Sequence, residues 1–371
     1  MLIFIILLTC ITHWFWFYES GPFTGGDWSF LFQESIREYF TYSYSWTSFS
    51  ELGRPIIGSE FFPQFILSGL LTQLFGFSSS PSWLFIYFYP QIFFSAISSY
   101  LLVHYLTKSS IAGLIGSIIF SYNTYFIIIQ TAQLTVGTAE ALTPLAVLYF
   151  IKTLDKSSLM YAVITGLVMA VLSQYEIRIA YIVSWIIIFY LLYDIAINRV
   201  SIVRKSAIII VVLSILGLSN IYWILPTFAG GQSAASGIFY SGLFGESYYS
   251  LRQAIVNFHP FWTGDKPSAS MVQPIPMRFF LVPILAFIPL VFKRTDKRIF
   301  FFAVLVLLGI FLTKQSAQPF AGAYRWLYLH FPGFNAFREP SKFYLIINLS
   351  YSVLAGHGVN MLNSWINVRF K

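Results

Sequence analysis

Long runs of apolar residues recur along the chain and are separated by shorter polar connections. A helix needs about 20 mostly apolar residues to cross the hydrocarbon core of a bilayer. The pattern predicts about ten membrane-spanning helices, at residues 1–18, 82–106, 109–129, 135–152, 159–174, 177–197, 206–228, 278–293, 299–313 and 343–364. We therefore expect an all-α fold, a polytopic membrane helix bundle that forms one domain over residues 1–371.

One further apolar segment, residues 61–77, is shorter and contains the helix breakers Pro63, Gly69 and Gly76. These residues favour a re-entrant or interfacial segment over a span. The alternative is a chain that begins outside and crosses here, which would move residues 19–60 to the cytoplasmic side and leave the remaining topology unchanged.

Composition agrees with a membrane protein. Hydrophobic residues make up 57% of the chain and charged residues only 10%, too few to cover a water-soluble core. The net charge of +8 is therefore interpreted as a topology signal, and we expect no nucleic-acid partner. A single cysteine, Cys10, excludes an intramolecular disulfide and a cysteine metal cluster.

The two sides of the predicted membrane domain differ in charge and loop length. Short connections on one side carry twelve Lys and Arg against three Asp, whereas the other side has ten bases and eleven acids. The positive-inside rule makes the basic side cytoplasmic. The other side carries the long connections 19–60, 229–277 and 314–342, where binding and catalysis usually occur. This predicts an integral, multi-pass protein of the plasma membrane with an extracytoplasmic working face.

The first outer loop contains the best candidate for a catalytic carboxylate. Asp27 precedes apolar residues at helical spacing from Trp28 to Phe40, a pattern typical of an amphipathic helix on the membrane surface. Asp27 is then either the N-cap of that helix or a general base or metal ligand above the hydrocarbon boundary. Glu51, in a turn-rich stretch of the same loop, has both a structural and an accessory functional interpretation.

Other candidates are charged or aromatic groups at the outer ends of spans. Glu140, Glu176 and Arg178 lie where ionisable groups usually face a cavity, pair or form a site, and an ion pair between Glu176 and Arg178 is the structural alternative. Three bases of the last outer loop, on an otherwise base-poor side, suggest a bound phosphate, with a nonspecific contact to anionic lipid headgroups as the alternative. These bases are Arg325, Arg338 and Lys342. Aromatic candidates for sugar contacts are Trp28, His259 and Trp262.

Gly26-Asp27, the turn from Glu51 to Pro55 and the F-R-E-P-S-K-F motif that ends at Phe343 together resemble the GT-C superfamily of membrane glycosyltransferases. Within it, the chain is similar to the membrane domain of the alpha-(1→3)-arabinofuranosyltransferase-like family and to related YfhO-type proteins. Members usually continue well beyond this length. The resemblance therefore also implies a chain that is truncated at its C-terminus, divergent or a fragment.

The resemblance implies transfer of a sugar from a polyprenyl-phosphate donor to a cell-envelope glycan or lipid acceptor. Asp27 would then be the general base, or would bind the acceptor together with a divalent cation such as Mg²⁺ or Mn²⁺. Arg338, Lys342 and Arg325 would neutralise the leaving phosphate. Two alternatives remain from the residues themselves: a polytopic transporter or lipid flippase, and a non-catalytic subunit that assists envelope assembly.

Overall fold

The computed structural model describes residues 1–18, 46–47, 54–55, 67, 70–71, 84–198, 202–229, 242–245, 249–260, 274–292 and 296–369. Most of them are helical, which confirms the all-α prediction. A pair of two-residue antiparallel strands, β1 (Trp46–Thr47) and β2 (Arg54–Pro55), lies within the predicted first outer loop.

Fourteen α-helices follow one another in the described part of the chain. They are α1 (Leu2–Thr12), α2 (Trp14–Tyr18), α3 (Tyr89–Thr107), α4 (Ser110–Ser121), α5 (Thr124–Ala132), α6 (Leu134–Lys156), α7 (Leu159–Tyr175), α8 (Ile177–Asn198), α9 (Ile202–Ala229), α10 (Leu251–Ile255), α11 (Leu281–Phe292), α12 (Lys297–Thr313), α13 (Ala321–His330) and α14 (Tyr344–Arg369). A π-helical turn, Leu84–Phe88, leads into α3, and 3₁₀ turns occupy Met277–Phe280, Phe334–Ala336 and Pro340–Phe343.

Helices α6 and α14 form the centre of the bundle. Most of α6 is buried, and α14 is buried along its first half. Helix α3 packs on α4 and α6, α7 packs on α6 and α9, and α14 packs on α4, α11 and α12. Small residues permit this close approach: a Cβ added to Gly116 of α4 would lie 2.6 Å from Val103 and 3.0 Å from the carbonyl oxygen of Ser352.

The bundle has two ends that we name from their sequence. The loop end contains the N-termini of α3, α6, α8 and α14, and the basic end contains their C-termini. At the loop end the Tyr175 hydroxyl donates to the carbonyl of Ile86 over 2.9 Å. At the basic end Arg298 pairs with Asp155 over 2.7 Å, joining the start of α12 to the end of α6.

The outer helices expose large apolar side chains in a way that suits a lipid environment. Leu159, Met160 and Leu167 of α7 and Leu213 and Leu218 of α9 are each more than half exposed. In water such a continuous apolar surface would promote association, whereas acyl chains cover it at no cost.

Five described helices are long and apolar enough to cross a membrane, or six when α4 and α5 are counted as one bent span. Those two helices meet at an angle of 54°. Helices also coincide with each of the ten apolar segments predicted from the sequence, although several are shorter than a full span. The amphipathic helix predicted after Asp27 lies outside the described residues, as does segment 61–77 apart from helical residues 67, 70 and 71.

Candidate functional site

Glu140 is the most deeply buried acidic residue that the structure describes. It lies in the second turn of α6 and is fully buried. The Tyr125 hydroxyl, from α5, donates to its Oε1 over 3.0 Å. Its Oε2 has no hydrogen-bond partner among the described residues. A buried carboxylate oxygen without a donor is costly, so Glu140 is unusual for a purely structural position.

Glu176 and Arg178 form an ion pair at the junction of α7 and α8. The guanidinium donates from Nε to Oε1 over 2.7 Å and from Nη2 to Oε2 over 2.9 Å. Burial opposes the charged form of Glu176, but the Arg178 guanidinium outweighs it and holds the pKa of Glu176 below its ordinary value. The ion pair that the sequence left as the structural alternative is therefore present. The Nη1 atom of Arg178 takes no part in these two bonds, and 38% of the side chain is exposed.

Lys342 is buried at the start of the last long helix, with only 3% of its surface exposed. Pro340 begins the 3₁₀ turn that carries it, as expected for a residue whose fixed φ suits a first helical position. The ammonium group interacts electrostatically with four charged side chains from three different parts of the chain. They are Glu140, Glu176, Arg178 and Glu339. We call these four residues and Lys342 the charged cluster.

The rings of Tyr125, Tyr249, His259 and Tyr344 lie together beside the charged cluster, and we call them the aromatic wall. The Tyr249 hydroxyl donates to Glu339 Oε1 over 2.9 Å and lies 3.4 Å from His259 Nε2. The His259 ring is fully buried, 5.3 Å from the Tyr125 ring and 5.4 Å from the Tyr344 ring. Burial lowers the pKa of His259 to about 3, and burial together with Glu339 raises the pKa of Tyr249. Both side chains are therefore uncharged at neutral pH.

Hydrogen bonds hold the connection that carries Tyr249 and His259 against the bundle. The side chain of Ser250 caps α10. The backbone N–H of His259 donates to Thr124 Oγ1 over 2.8 Å, and the Tyr344 hydroxyl donates to the carbonyl of Phe258 over 2.9 Å. The aromatic wall is thus fixed to both α5 and α14.

The three bases that were predicted to bind a phosphate differ in burial. Lys342 is in the charged cluster, whereas Arg338 and Arg325 are exposed. The backbone carbonyl of Arg338 accepts bonds from Phe244 N–H and from the side chain of Gln315. A further cation, Arg178 of α8, interacts electrostatically with Lys342, although it lies far away along the chain.

Four other predicted site residues, Asp27, Trp28, Glu51 and Trp262, lie outside the described residues. His259, predicted to contact a sugar, is fully buried among the other rings of the aromatic wall. Within the described part of the chain, no group of three or more His, Cys, Asp or Glu is placed to hold a metal ion. The suggested role of Asp27 in binding a divalent cation therefore stays a prediction.

Three residues of the site were not among the sequence candidates. Glu339 lies in the F-R-E-P-S-K-F motif, three residues before Lys342, and this position is the sequence feature that could have identified it. Tyr125 and Tyr249 gave no signal, because tyrosine is abundant in this chain, with 24 copies. Their hydroxyl bonds to the carboxylates of Glu140 and Glu339 appear only in the fold.

The fold and the charged cluster define a helical protein with several helices suited to a membrane and a set of buried charges at one end. Comparison with protein-family models and with curated proteins finds no match to this chain.

Proposed function

We propose that the chain is a GT-C-type glycosyltransferase with about ten spans. It transfers a sugar from a polyprenyl-phosphate donor to a cell-envelope glycan or lipid acceptor at the extracytoplasmic face of the plasma membrane. The observation that carries this proposal is the charged cluster, in which Lys342 and Arg178 converge at the loop end. Ionisable groups at membrane depth are expensive and generally serve function.

Two cations near each other suit a phosphate leaving group. The Glu176 carboxylate holds Arg178 through an ion pair that does not use Nη1, and the Glu339 carboxylate attracts Lys342 electrostatically. In a partly buried site, fixed cations stabilise negative charge far better than they do in water. Arg338 and Arg325 are exposed, and their positive charges would guide the anionic donor along the surface.

The proposed reaction needs a base as well as cations. The acceptor hydroxyl oxygen attacks the anomeric carbon of the sugar, and Asp27 takes the hydroxyl proton. The bond between the anomeric carbon and the phosphate oxygen breaks, and its electron pair stays on that oxygen. Lys342 and Arg178 stabilise the charge that develops there, and polyprenyl phosphate is released after sugar transfer.

Asp27→Asn tests the proposed base, because asparagine has a similar shape but cannot take the proton. We expect turnover to fall by about 10²- to 10⁴-fold while binding of the lipid donor is retained. The measurement is transfer of radiolabelled sugar from polyprenyl-phosphate donors by the purified protein in lipid nanodiscs. Donor binding is measured in parallel by native mass spectrometry.

Lys156→Met is the matched control, because Lys156 is exposed at the basic end, far from the charged cluster along the bundle. It should leave turnover unchanged. Transfer by the Asp27→Asn variant at the rate of the unsubstituted protein would remove Asp27 from the mechanism. If the control is active but the Asp27→Asn variant has lost both turnover and donor binding, Asp27 contributes to binding of the lipid donor rather than to proton transfer.

A transporter or lipid flippase is the second candidate, and Glu140 favours it. A fully buried carboxylate within α6, whose Oε2 has no partner in the described part of the chain, is typical of proton relays in transport proteins. The Asp27→Asn variant separates the two functions, because a transporter should keep its transport rate. A non-catalytic assembly subunit should show neither transfer nor transport with either form of the protein.

A further inference from the structure

Two adjoining cavities form an apolar groove between α8 and α12. The first has a volume of about 220 Å³ and begins at the loop end beside Phe334, Phe343 and Tyr181. The second, of about 390 Å³, continues towards the basic end as far as Tyr193 and Phe300. The two cavities share Phe189, Leu305 and Leu308 as lining residues, so they lie end to end along α8 and α12.

One wall of the groove is a row of aromatic rings on α8. Tyr181, Trp185 and Phe189 are four residues apart and therefore lie on one face of the helix. Their neighbouring ring centroids are 6.2 and 5.6 Å apart. The opposite wall is formed by leucines of α12, including Leu305, Leu308 and Leu312. The two helices make only sparse contact with each other, which leaves the groove open between them.

The length and openness of the groove suit an extended hydrocarbon chain. From Tyr181 to Tyr193, α8 rises about 18 Å, more than half of the roughly 30 Å hydrocarbon core of a bilayer. Phe189, Val304 and Phe300, along its lower part, are partly or largely exposed. A lipid chain can therefore enter sideways from the bilayer.

The charged cluster lies at the upper end of the groove. Arg178 precedes the lining residue Ile182 by one helical turn on α8, and Lys342 directly precedes the lining residue Phe343. Both cations are therefore close to the place where the groove ends at the loop end. An occupant that complements this arrangement has an apolar chain and an anionic head.

We propose that the groove between α8 and α12 binds the hydrocarbon chain of a polyprenyl phosphate, with the phosphate next to Arg178 and Lys342. This inference rests on the proposed function, because that function supplies the single-chain lipid phosphate. It adds where the chain lies, and it makes the gap between α8 and α12 the lateral entrance from the bilayer.

Photocrosslinking tests the groove without requiring activity. Leu308 lines both cavities, whereas its neighbour Leu307 is 57% exposed and lines neither. Replacing each in turn with p-benzoyl-L-phenylalanine gives a matched pair. The full chain is placed in phosphatidylcholine nanodiscs with radiolabelled polyprenyl monophosphate. We expect saturable labelling from position 308 and weak, non-saturable labelling from position 307.

Competition distinguishes the occupants. Unlabelled polyprenyl monophosphate should suppress labelling at position 308 at a concentration at least about tenfold lower than the matching polyprenol, which lacks the phosphate. Phosphatidylglycerol that competes as well as polyprenyl monophosphate would overturn the proposal in favour of a phospholipid site. Equal labelling at positions 307 and 308 would mean that ordinary surrounding lipid contacts this face.

A second variant covers a failure of the modified chain to fold. Leu308→Trp should fill the groove and weaken binding of polyprenyl monophosphate in native mass spectrometry, whereas Leu307→Trp should not. Equal binding by both variants would overturn the proposal. Saturable binding in a protein that transfers no sugar would retain the groove and remove the proposed transferase, so the two failures are distinguishable.

Discussion

At the scale of single residues, the site depends on charges that stabilise one another within the bundle. Lys342 is almost completely buried, and it is surrounded by more acidic than basic groups. Removing one buried charge leaves the opposite charges near it uncompensated. The resulting loss of folding free energy is larger than the stability that the intact pair contributed. The F-R-E-P-S-K-F motif drew attention to Lys342, but its neighbours Glu140 and Arg178 lie about 200 and 160 residues earlier. No local pattern predicts such a pairing.

Lys342→Met should therefore destabilise the protein by about 3–5 kcal/mol. Glu339→Gln in the same chain should recover part of this loss, because one of the uncompensated carboxylates then becomes neutral. The measurement is a double-mutant cycle of unfolding free energies in detergent micelles. Strictly additive effects of the two substitutions would show that Lys342 and Glu339 do not interact, and would contradict the electrostatic attraction between them in the charged cluster.

At the scale of helices, the apolar pattern predicted most positions to within a few residues. The span predicted at 177–197 is α8, Ile177–Asn198, and the span predicted at 159–174 is α7, Leu159–Tyr175. Hydropathy succeeds here because lipid-facing and core-facing residues are both apolar. It could not predict the 54° bend within the span expected at 109–129. Asn123, whose side chain accepts from Phe126 N–H over 2.8 Å, caps α5 and marks that bend.

Polar side chains also fix pairs of helices, and Asn220 of α9 shows how. Its amide donates to Ser173 Oγ over 2.8 Å, and its Oδ1 accepts from Gln174 over 2.9 Å and from Trp223 over 2.8 Å. The bonds to Ser173 and Gln174 hold α9 against the C-terminal end of α7. Gln174 lies two residues before Glu176 in the chain. The sequence did not predict this contact, because isolated polar residues within an apolar helix do not show which helix they contact.

Asn220→Leu should destabilise the folded protein by about 1–2 kcal/mol, because hydrogen bonds between membrane helices contribute on this scale and buried partners are left without Asn220. The measurement is the thermal midpoint in micelles. Leu218→Ala is the control, since Leu218 is 68% exposed on the same helix. An Asn220 variant as stable as the control would mean that packing alone holds α9 in place.

At the scale of the whole molecule, the proposed transfer requires that the carboxylate proposed as the base, Asp27, and the charged cluster share one side of the membrane. The charge bias predicts an extracytoplasmic loop end, and the helix directions place the charged cluster there. The side of Asp27 depends on segment 61–77, where two topologies were open. Loop charges hardly separate these topologies, because only two bases, Arg37 and Arg54, change sides.

Cysteine labelling of intact cells decides this question. In a Cys10→Ser background, single cysteines are placed by Ser45→Cys in the first loop, by Gln318→Cys at an exposed position between α12 and α13, and by Lys156→Cys at the basic end. A membrane-impermeant maleimide should label the first two in intact cells, and the third only after permeabilisation. If Ser45→Cys also needed permeabilisation while Gln318→Cys did not, Asp27 and Lys342 would lie on opposite sides of the membrane. A single transfer reaction could not use both residues, and a transporter would then be the better interpretation of the buried charges.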